Sequence, residues 1–215
     1  MCYPFQLGRR PRCATVIAAC FFAATASAEN FVDCGNPFES AYGPYDYRTA
    51  THEQKRLVEF YHFNAGVESL QSGSAGVLGS DISYTLRAFP NHPRALMSMI
   101  RLGQREQNPK PKGAEYPVAC WIERAVLFRP DDMAIRQIHG IYASMQRQYD
   151  QAIADFAAVL EAQPDNANAH YNLGLAHFEK GNYDVALAEA KSAASLGFPL
   201  QGLKEKLKAK GKWRD

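Results

Sequence analysis

The sequence predicts an all-α solenoid of stacked helical hairpins, entered through a non-helical N-terminal strap. Three observations lead there. The C-terminal half repeats itself at a shift of 34 residues. Prolines fall at matching places between apolar stretches of helical period. Ahead of the first such stretch lies a segment rich in Tyr, Phe, Gly and Pro, a composition that does not make a helix. With 215 residues and 47% hydrophobic residues, the chain can bury a core and is not globally disordered.

The repeat is clearest between two stretches. Gly140 aligns with Gly174, Tyr149 with Tyr183, Asp150 with Asp184 and Ala152 with Ala186. Ile153 then meets Leu187, Ala154 meets Ala188, and Pro130-Asp131-Asp132 meets Pro164-Asp165-Asn166. Each position has a physical reason. The glycines and small alanines let paired helices approach closely. The tyrosines open the second helix and fill the gap near the turn. The prolines end a helix, because the residue before proline is barred from continuing it comfortably. A single hairpin cannot bury its apolar face, so neighbours must stack.

This pattern resembles the tetratricopeptide repeat, TPR. The clearest copy, Ala167 to Phe198, reads ANAHYNLGLAHFEKGNYDVALAEAKSAASLGF; Met133 to Asn166 is a second, with Phe156 and Pro164 also in family places. The resemblance implies a TPR-like helical-hairpin solenoid. The mature chain also resembles an uncharacterised group of bacterial secreted TPR proteins, through CGNPF (34–38), YGPYDYR (42–48), YTLRAFPNHPRAL (84–96) and LGFPLQGL (196–203). That second resemblance implies export and no particular reaction.

Taken in order, residues 1–28 form an expected signal peptide. Arg9, Arg10 and Arg12 are its basic start, Cys13 to Ala28 an uncharged apolar run, and Ala26-Ser27-Ala28 a small-x-small cleavage site. Cleavage there sends the protein to the periplasm or outside. A second reading makes Cys20 of Ile17-Ala18-Ala19-Cys20 a lipidated anchor, although Phe21 and Phe22 continue the apolar run past it. No later stretch reaches about 18 apolar residues, so no integral membrane segment is expected in the mature chain. Removing three arginines and no acid takes the formal net charge from +2 to about −1, which removes a case for general binding to nucleic acid.

Residues 29–50 are the strap, with Phe31, Phe38, Tyr42, Tyr45 and Tyr47 among glycines and prolines. They are too aromatic for a solvated linker and are expected to lie extended on the helices. Of the five cysteines, Cys34 and Cys120 remain after cleavage. In an oxidising compartment an even pair reads as a disulfide that would pin the strap, with a loop-closure contribution on the order of 4–5 kcal/mol. The plainer alternative is two unrelated thiols.

Residues 51–132 read as divergent hairpins. Thr51 and Gln54 make a capping box for a helix ending near His62. Asn64 caps Ala65 to Gln71. Ser72 to Gly79, with three glycines, is a flexible link. Ser80 can cap Asp81 to Phe89, stopped by Pro90. Pro93 starts a helix to Gly103, and Tyr116 to Arg129 is its partner, with Trp121, Ile122, Ala125, Val126 and Phe128 as core. Between them Gln104 to Glu115, with Pro109, Pro111 and Gly113, reads as a surface loop. Residues 133–199 hold the two clear repeats. Residues 200–215 form a capping helix and tail, with Leu200, Leu203 and Leu207 on one face and Lys204, Lys206, Lys208, Lys210 and Lys212 mainly elsewhere.

No HExxH, GxSxG, Walker loop or placed GxGxxG occurs, and no Cys/His spacing suits zinc, so no cofactor, metal or catalytic residue is assigned. His170 and His177 lie two turns apart and are read as packing against the neighbouring repeat; His139 is read as packing between helices. Glu59 with Glu68, and Asp131 with Asp132, are read as solvated surface. An enzymatic alternative would assemble a site from His62, His92 and the strap. The lysine-rich tail is read as a solvated cap face, against contact with an anionic polymer or lipid.

What the TPR resemblance implies about function is a groove lined by the first helix of each hairpin, taking a peptide or helix. Carried over, this gives Gln137, Ile141, Ser144 and Met145 from one repeat and Tyr171, Leu175, Phe178 and Glu179 from the next, each set on one helical face. Tyr171 and Leu175 stand where a carboxylate-gripping TPR would place charge or amide, so an acidic C-terminal tail is not the expected ligand. The expectation is a non-catalytic adaptor binding a protein of the cell envelope; a self-associating homo-oligomer is the structural alternative. Whether the groove is open, or filled by the strap or the upstream helices, is left to the tertiary structure.

Overall fold

The computed structural model describes residues 33–214. Among them are ten α-helices and no strand. The signal-peptide and lipid-anchor expectations, with Phe31, lie outside the described residues. Among the described residues no helix is long and apolar enough to cross a membrane.

The first helix, α1 (His52–His62), starts on the expected capping box: the Thr51 hydroxyl accepts from Gln54 N–H, and the Gln54 side chain accepts from Thr51 N–H. Asn64 caps α2 (Ala65–Glu68) through bonds from Gly66 and Val67. This helix stops short of Gln71, because Leu70 turns left-handed at φ 61°. The next, α3 (Leu78–Ala88), begins before Ser80, and that serine is not its cap. Its hydroxyl donates to the Gly113 carbonyl instead, and the buried Asp81 carboxylate takes up the Ser74 and Ala75 N–H groups. The link over 72–79 is thereby tied to α3.

In α4 (Pro93–Glu106) proline occupies the first turn as expected, and the cap is the ring of His92, whose Nδ1 accepts from Ala95 N–H at 3.2 Å. The helix runs past Gly103 to a left-handed Gln107. The connection that follows is not a free surface loop. Pro111 and Ala114 are buried, Glu115 N–H donates to Ser83 Oγ at 3.1 Å, and the Gly113 bend sits on the start of α3. A Cβ on Gly79 would meet Lys112 O at 2.3 Å, so glycine there permits the approach. The partner helix α5 (Val118–Phe128) ends before Pro130.

The regular region follows as α6 (Met133–Met145), α7 (Tyr149–Ala162), α8 (Ala167–Glu179) and α9 (Tyr183–Ser195). Both tyrosines open their helices as the repeat predicts. His92, Asp132 and Asn166 cap α4, α6 and α8, each two residues after Pro90, Pro130 and Pro164. The hairpin register therefore extends upstream through α4 and α5, with the extra length placed in the 107–117 connection. Finally α10 (Gly202–Ala209) buries Leu203 and Leu207 on α8 and α9, while Leu200 precedes the helix and is 59% exposed.

Upstream, one continuous core joins Phe63, Ile82, Leu86, Leu96, Met99, Trp121 and Ile122 through to Ile135 and Ile138 of α6. Downstream the cores are smaller and alanine-rich: Ala143, Ala152, Phe156, Leu173 and Ala176, then Ala186 and Ala190 with Leu203 and Leu207. A Cβ on Gly140 would meet the Phe156 ring at 2.9 Å, which is why this position is glycine.

The strap has no helix over 33–50, is interrupted by turns at 37–38 and 47–49, and lies on the upstream helices. Tyr42, Tyr45 and Tyr47 pack on Val58, Ala88 and Phe89. Tyr45 N–H donates to Ala88 O at 2.9 Å, and Gly43, at φ +90°, admits that carbonyl where a Cβ would stand 2.6 Å from it. Cys34 and Cys120 are disulfide-bonded with a Cα separation of 5.1 Å, and Phe38 rests against Phe128 at 5.6 Å.

Candidate protein-binding face

The first helices of the hairpins, α4, α6 and α8, carry the residues that the repeat assigns to a ligand face. On α6, Met145 is exposed at 41%, while Gln137, Ile141 and Ser144 are half-buried. On α8, Tyr171, Leu175 and Phe178 are half-buried and only Glu179 is exposed. The α8 set is not an open surface. All three apolar members pack against the buried cluster of Ala186 and Ala190 of α9 with Leu203 and Leu207 of α10. The Tyr171 ring lies 4.6 Å from Phe198, and the Glu179 carboxylate holds Lys206 at 2.9 Å. The cover is therefore the C-terminal helix and its linker. The strap, the candidate cover, sits on α1, α3 and α5 instead.

The other end is covered by α2. Helix α4 carries Arg94, Arg101 and Arg105 at helical spacing, and all three reach the α2 segment. Arg94 bonds the Glu68 carboxylate at 3.0 Å and Glu59 at 3.1 Å. Arg101 donates to Glu68 O at 3.2 Å, and Arg105 donates to Leu70 O. These cations satisfy carbonyls that a helix C-terminus leaves without intrahelical partners. The arginine row was not singled out in the sequence. The signal was present as the spacing 94, 101, 105, once α4 is read as the first helix of a repeat.

What stays uncovered is the middle. One cleft of about 320 Å³ lies between α4 and α6, bordered by Gln104, Tyr142 and Met145. A second, of about 330 Å³, has Met97 and Ile138 at its base and Arg101 at its edge. Gln137 is partly engaged, accepting from Asn166 Nδ2 at 3.2 Å. The face thus mixes apolar side chains with the amides of Gln104, Gln107, Asn108 and Gln146, and its upstream border carries Arg94, Arg101 and Glu68.

The histidines have internal partners. His92 is fully buried: its Nδ1 caps α4, and its Nε2 faces Glu59 at 3.2 Å, which assigns the proton to Nε2. The Tyr47 ring lies 4.0 Å away, and Tyr47 OH donates to Glu59 at 2.8 Å. Burial pushes His92 down, keeping it neutral. Hydrogen bonds from His92 and then Tyr47, against the opposing effect of burial, bring the Glu59 carboxyl down to about 2. Glu59 and Glu68 are therefore not merely solvated. His62 stacks on Tyr84 at 3.8 Å and faces Asp81 at 3.1 Å. The strap and His92 do come together, as the enzymatic alternative required, but both ring nitrogens of His92 are occupied by the fold.

His170 bonds both within its own hairpin and to the end of the preceding copy of the repeat. It reaches Glu189 on α9 at 2.6 Å and Pro164 O at 2.9 Å. One repeat earlier, Arg136 reaches Asp155 at 3.4 Å and Pro130 O at 3.3 Å. The same two positions thus carry the same bridge in different chemistry. His139 shares Asp155 at 2.7 Å, and His177 meets Asn182 at 3.3 Å.

A polar cluster locks the strap to two hairpin junctions. Asn91 is fully buried and donates to Asp46 at 2.7 Å and Asp132 at 2.9 Å, while its oxygen accepts Tyr47 N–H. Arg48 bridges Asp46, Asp131 and Asp132, and Arg129 reaches Asp46 at 2.9 Å. Burial opposes ionisation of Asp46, but the bonds from Arg48 and Asn91 outweigh it and hold the carboxyl far below its usual range. The Asp131–Asp132 pair is accordingly part of a clamp and not free surface.

Among solved structures, similar chains include a MamA mutant, 16% identical, covering 74% of this chain and 82% of that one at a TM-score of 0.49. MamA AMB-1 appears twice more: once at 16% identity, 74% and 88% coverage and TM-score 0.49, and once at 21%, 55% and 73%, and 0.40. No curated protein sequence matches the chain. Residues 139–197 match the tetratricopeptide repeat model. That repeat is a protein-interaction scaffold, and the matched span covers most of α6 through α9. The hairpins of α6 to α9, which hold the close Gly140 and Gly174 contacts, are the part of the chain that matches the tetratricopeptide repeat.

Proposed function

We propose that the protein is an exported, non-catalytic adaptor that holds an apolar helix or extended segment of another cell-envelope protein against its α4–α6 face. The observation that carries this is the uncovered middle strip. Met145 is exposed beside Gln104 and Ile141, while α2 closes one end and α10 the other. The binding set that follows is Gln137, Ile141, Ser144 and Met145, with Met97 and Gln104 added and Tyr171, Leu175 and Phe178 kept as support. Partner anchors entering the two clefts would contribute most of the affinity. Export is supported by the Ala26-Ser27-Ala28 site and by the Cys34–Cys120 disulfide, which persists in an oxidising compartment.

The test is photo-crosslinking from position 145 in the native envelope, with wild type and Met145→Glu compared by co-purification. Loss of one reproducible partner in Met145→Glu, at an unchanged melting temperature, supports the reading. Equal capture by both sinks it. Crosslinks only to a second copy of the chain would turn the reading to self-association. N-terminal sequencing of the exported protein should begin at Glu29, and a lipidated Cys20 would replace soluble export with anchoring.

A further inference from the structure

The C-terminal end of the array contains a cavity separate from the α4–α6 face. It holds about 220 Å³ and lies where α8, α9, α10 and the linker before α10 meet. Its walls are aromatic. Tyr171 and Phe198 lie 4.6 Å apart at an angle of 32°, and Trp213 forms another side. Leu203, almost fully buried, lines it as well.

Two lysines line this space from different helices, the exposed Lys191 from α9 and the half-buried Lys204 from α10. Their Nζ atoms lie 6.0 and 4.9 Å from the Trp213 ring centre. Among the described residues the lysines paired with carboxylates are Lys180 and Lys206, not these two. Both cations therefore lie near one indole, and among the described residues neither has a carboxylate in an ion pair. A single anion within reach of both lysines would gain two attractions. The cavity is also smaller than the roughly 300 Å³ at which pockets for drug-sized ligands begin. It suits one ring or a short acyl chain.

We propose that this cavity binds an apolar group bearing one carboxylate, with the ring or chain among Tyr171, Phe198 and Trp213 and the carboxylate between Lys191 and Lys204. A free organic acid and the apolar C-terminal residue of a protein present the same chemistry. The site draws on residues that cap the array, so the proposal does not depend on the α4–α6 face being a binding surface.

Calorimetric titration of the full exported protein tests it. One arm compares 3-phenylpropionate with its primary amide. The other compares a short peptide ending in phenylalanine with the same peptide amidated at its C-terminus. The acid forms should bind and the amides should not. Lys191→Gln combined with Lys204→Gln should weaken binding at least tenfold at an unchanged melting temperature, and the corresponding arginine pair should restore it. Tighter binding of the peptide acid assigns a protein terminus as the source; tighter binding of phenylpropionate assigns a free acid. Equal binding of acid and amide, no heat at millimolar ligand, or wild-type affinity in the glutamine pair would overturn the proposal.

Discussion

The two halves of the helical array are held by different means. Downstream, α6 to α9 follow the repeat closely and pack through alanines, with Phe156 against Gly140. Upstream, the hairpins have drifted from the repeat, and their core uses Trp121, Phe63, Leu86, Met99 and Ile122. The drift comes with additions the regular half lacks: a disulfide, a tyrosine-rich strap, and the clamp of Asp46, Arg48, Asn91 and Asp132. A regular repeat supplies its neighbour with a matching face, so stability is nearly a sum of local interfaces. A diverged hairpin loses that match and needs long-range contacts to define its position.

The largest test of this contrast is removal of the cross-link. Replacing Cys34 and Cys120 together with serine opens a loop of 86 residues and should cost about 4–5 kcal/mol by the chain-entropy account. Denaturant melts measure the loss. Hydrogen exchange should place it in the strap and α5, with α7 to α9 nearly unchanged. A uniform loss across both halves would break the comparison.

In the regular half the sensitive contact is local. Phe156→Ala should cost about 3–5 kcal/mol, since this fully buried ring fills the hairpin interior. Gly140→Ala should cost about 1–3 kcal/mol by overpacking against that ring. Gly174→Ala should cost a similar amount, because a Cβ there would stand 2.6 Å from the buried Leu203 side chain and 3.3 Å from Ala186 O.

Tyr171→Ala and Phe178→Ala sharpen the role of the cap. Both rings are half-buried under α10, so each should lose about 2 kcal/mol, between exposed and fully buried behaviour. Deleting residues 200–215 should make the same changes nearly neutral. Full-size effects in the truncated chain would show that these rings are buried by something other than the cap.

The smallest expected effect is a pH slope belonging to the upstream half. Glu59 titrates at about 2 in the folded chain, below the unfolded value of about 4.3. Its contribution is present above the unfolded value and is lost as pH falls toward 2. His92 is held neutral by burial, so the unfolded chain takes up its proton first below about 6.5. Both effects have one sign: acid destabilises. Stability measured from pH 7 to 3 should fall, and Glu59→Gln should lower it at neutral pH while flattening that slope. An unchanged slope would remove Glu59 as its source.

Which parts were legible follows from how local their causes are. Thr51 with Gln54, Asn64, Pro93, and the tyrosines at 149 and 183 mark helix starts in the sequence because capping and turn chemistry act within a few residues. Ser80 was misplaced as a cap because its hydroxyl is used by Gly113, far along the chain. The Pro111 loop read as surface because its burial depends on α3, which no local pattern reveals.

The same division separates the candidate face from its covers. Periodicity puts Ile141 with Met145, and Tyr171 with Phe178, on shared helix sides, and the TPR resemblance implies that those sides face inward. The 34-residue repeat supplies the hairpin class, composition the strap, and the cysteine count the candidate pair. Only the tertiary structure decides that α10 covers Tyr171 and Phe178, that α2 engages the arginines of α4, and that Met145 stays exposed. Hydrophobic burial is non-directional: a sequence pattern shows that an apolar face needs a partner, and the packing of distant segments determines which partner it receives.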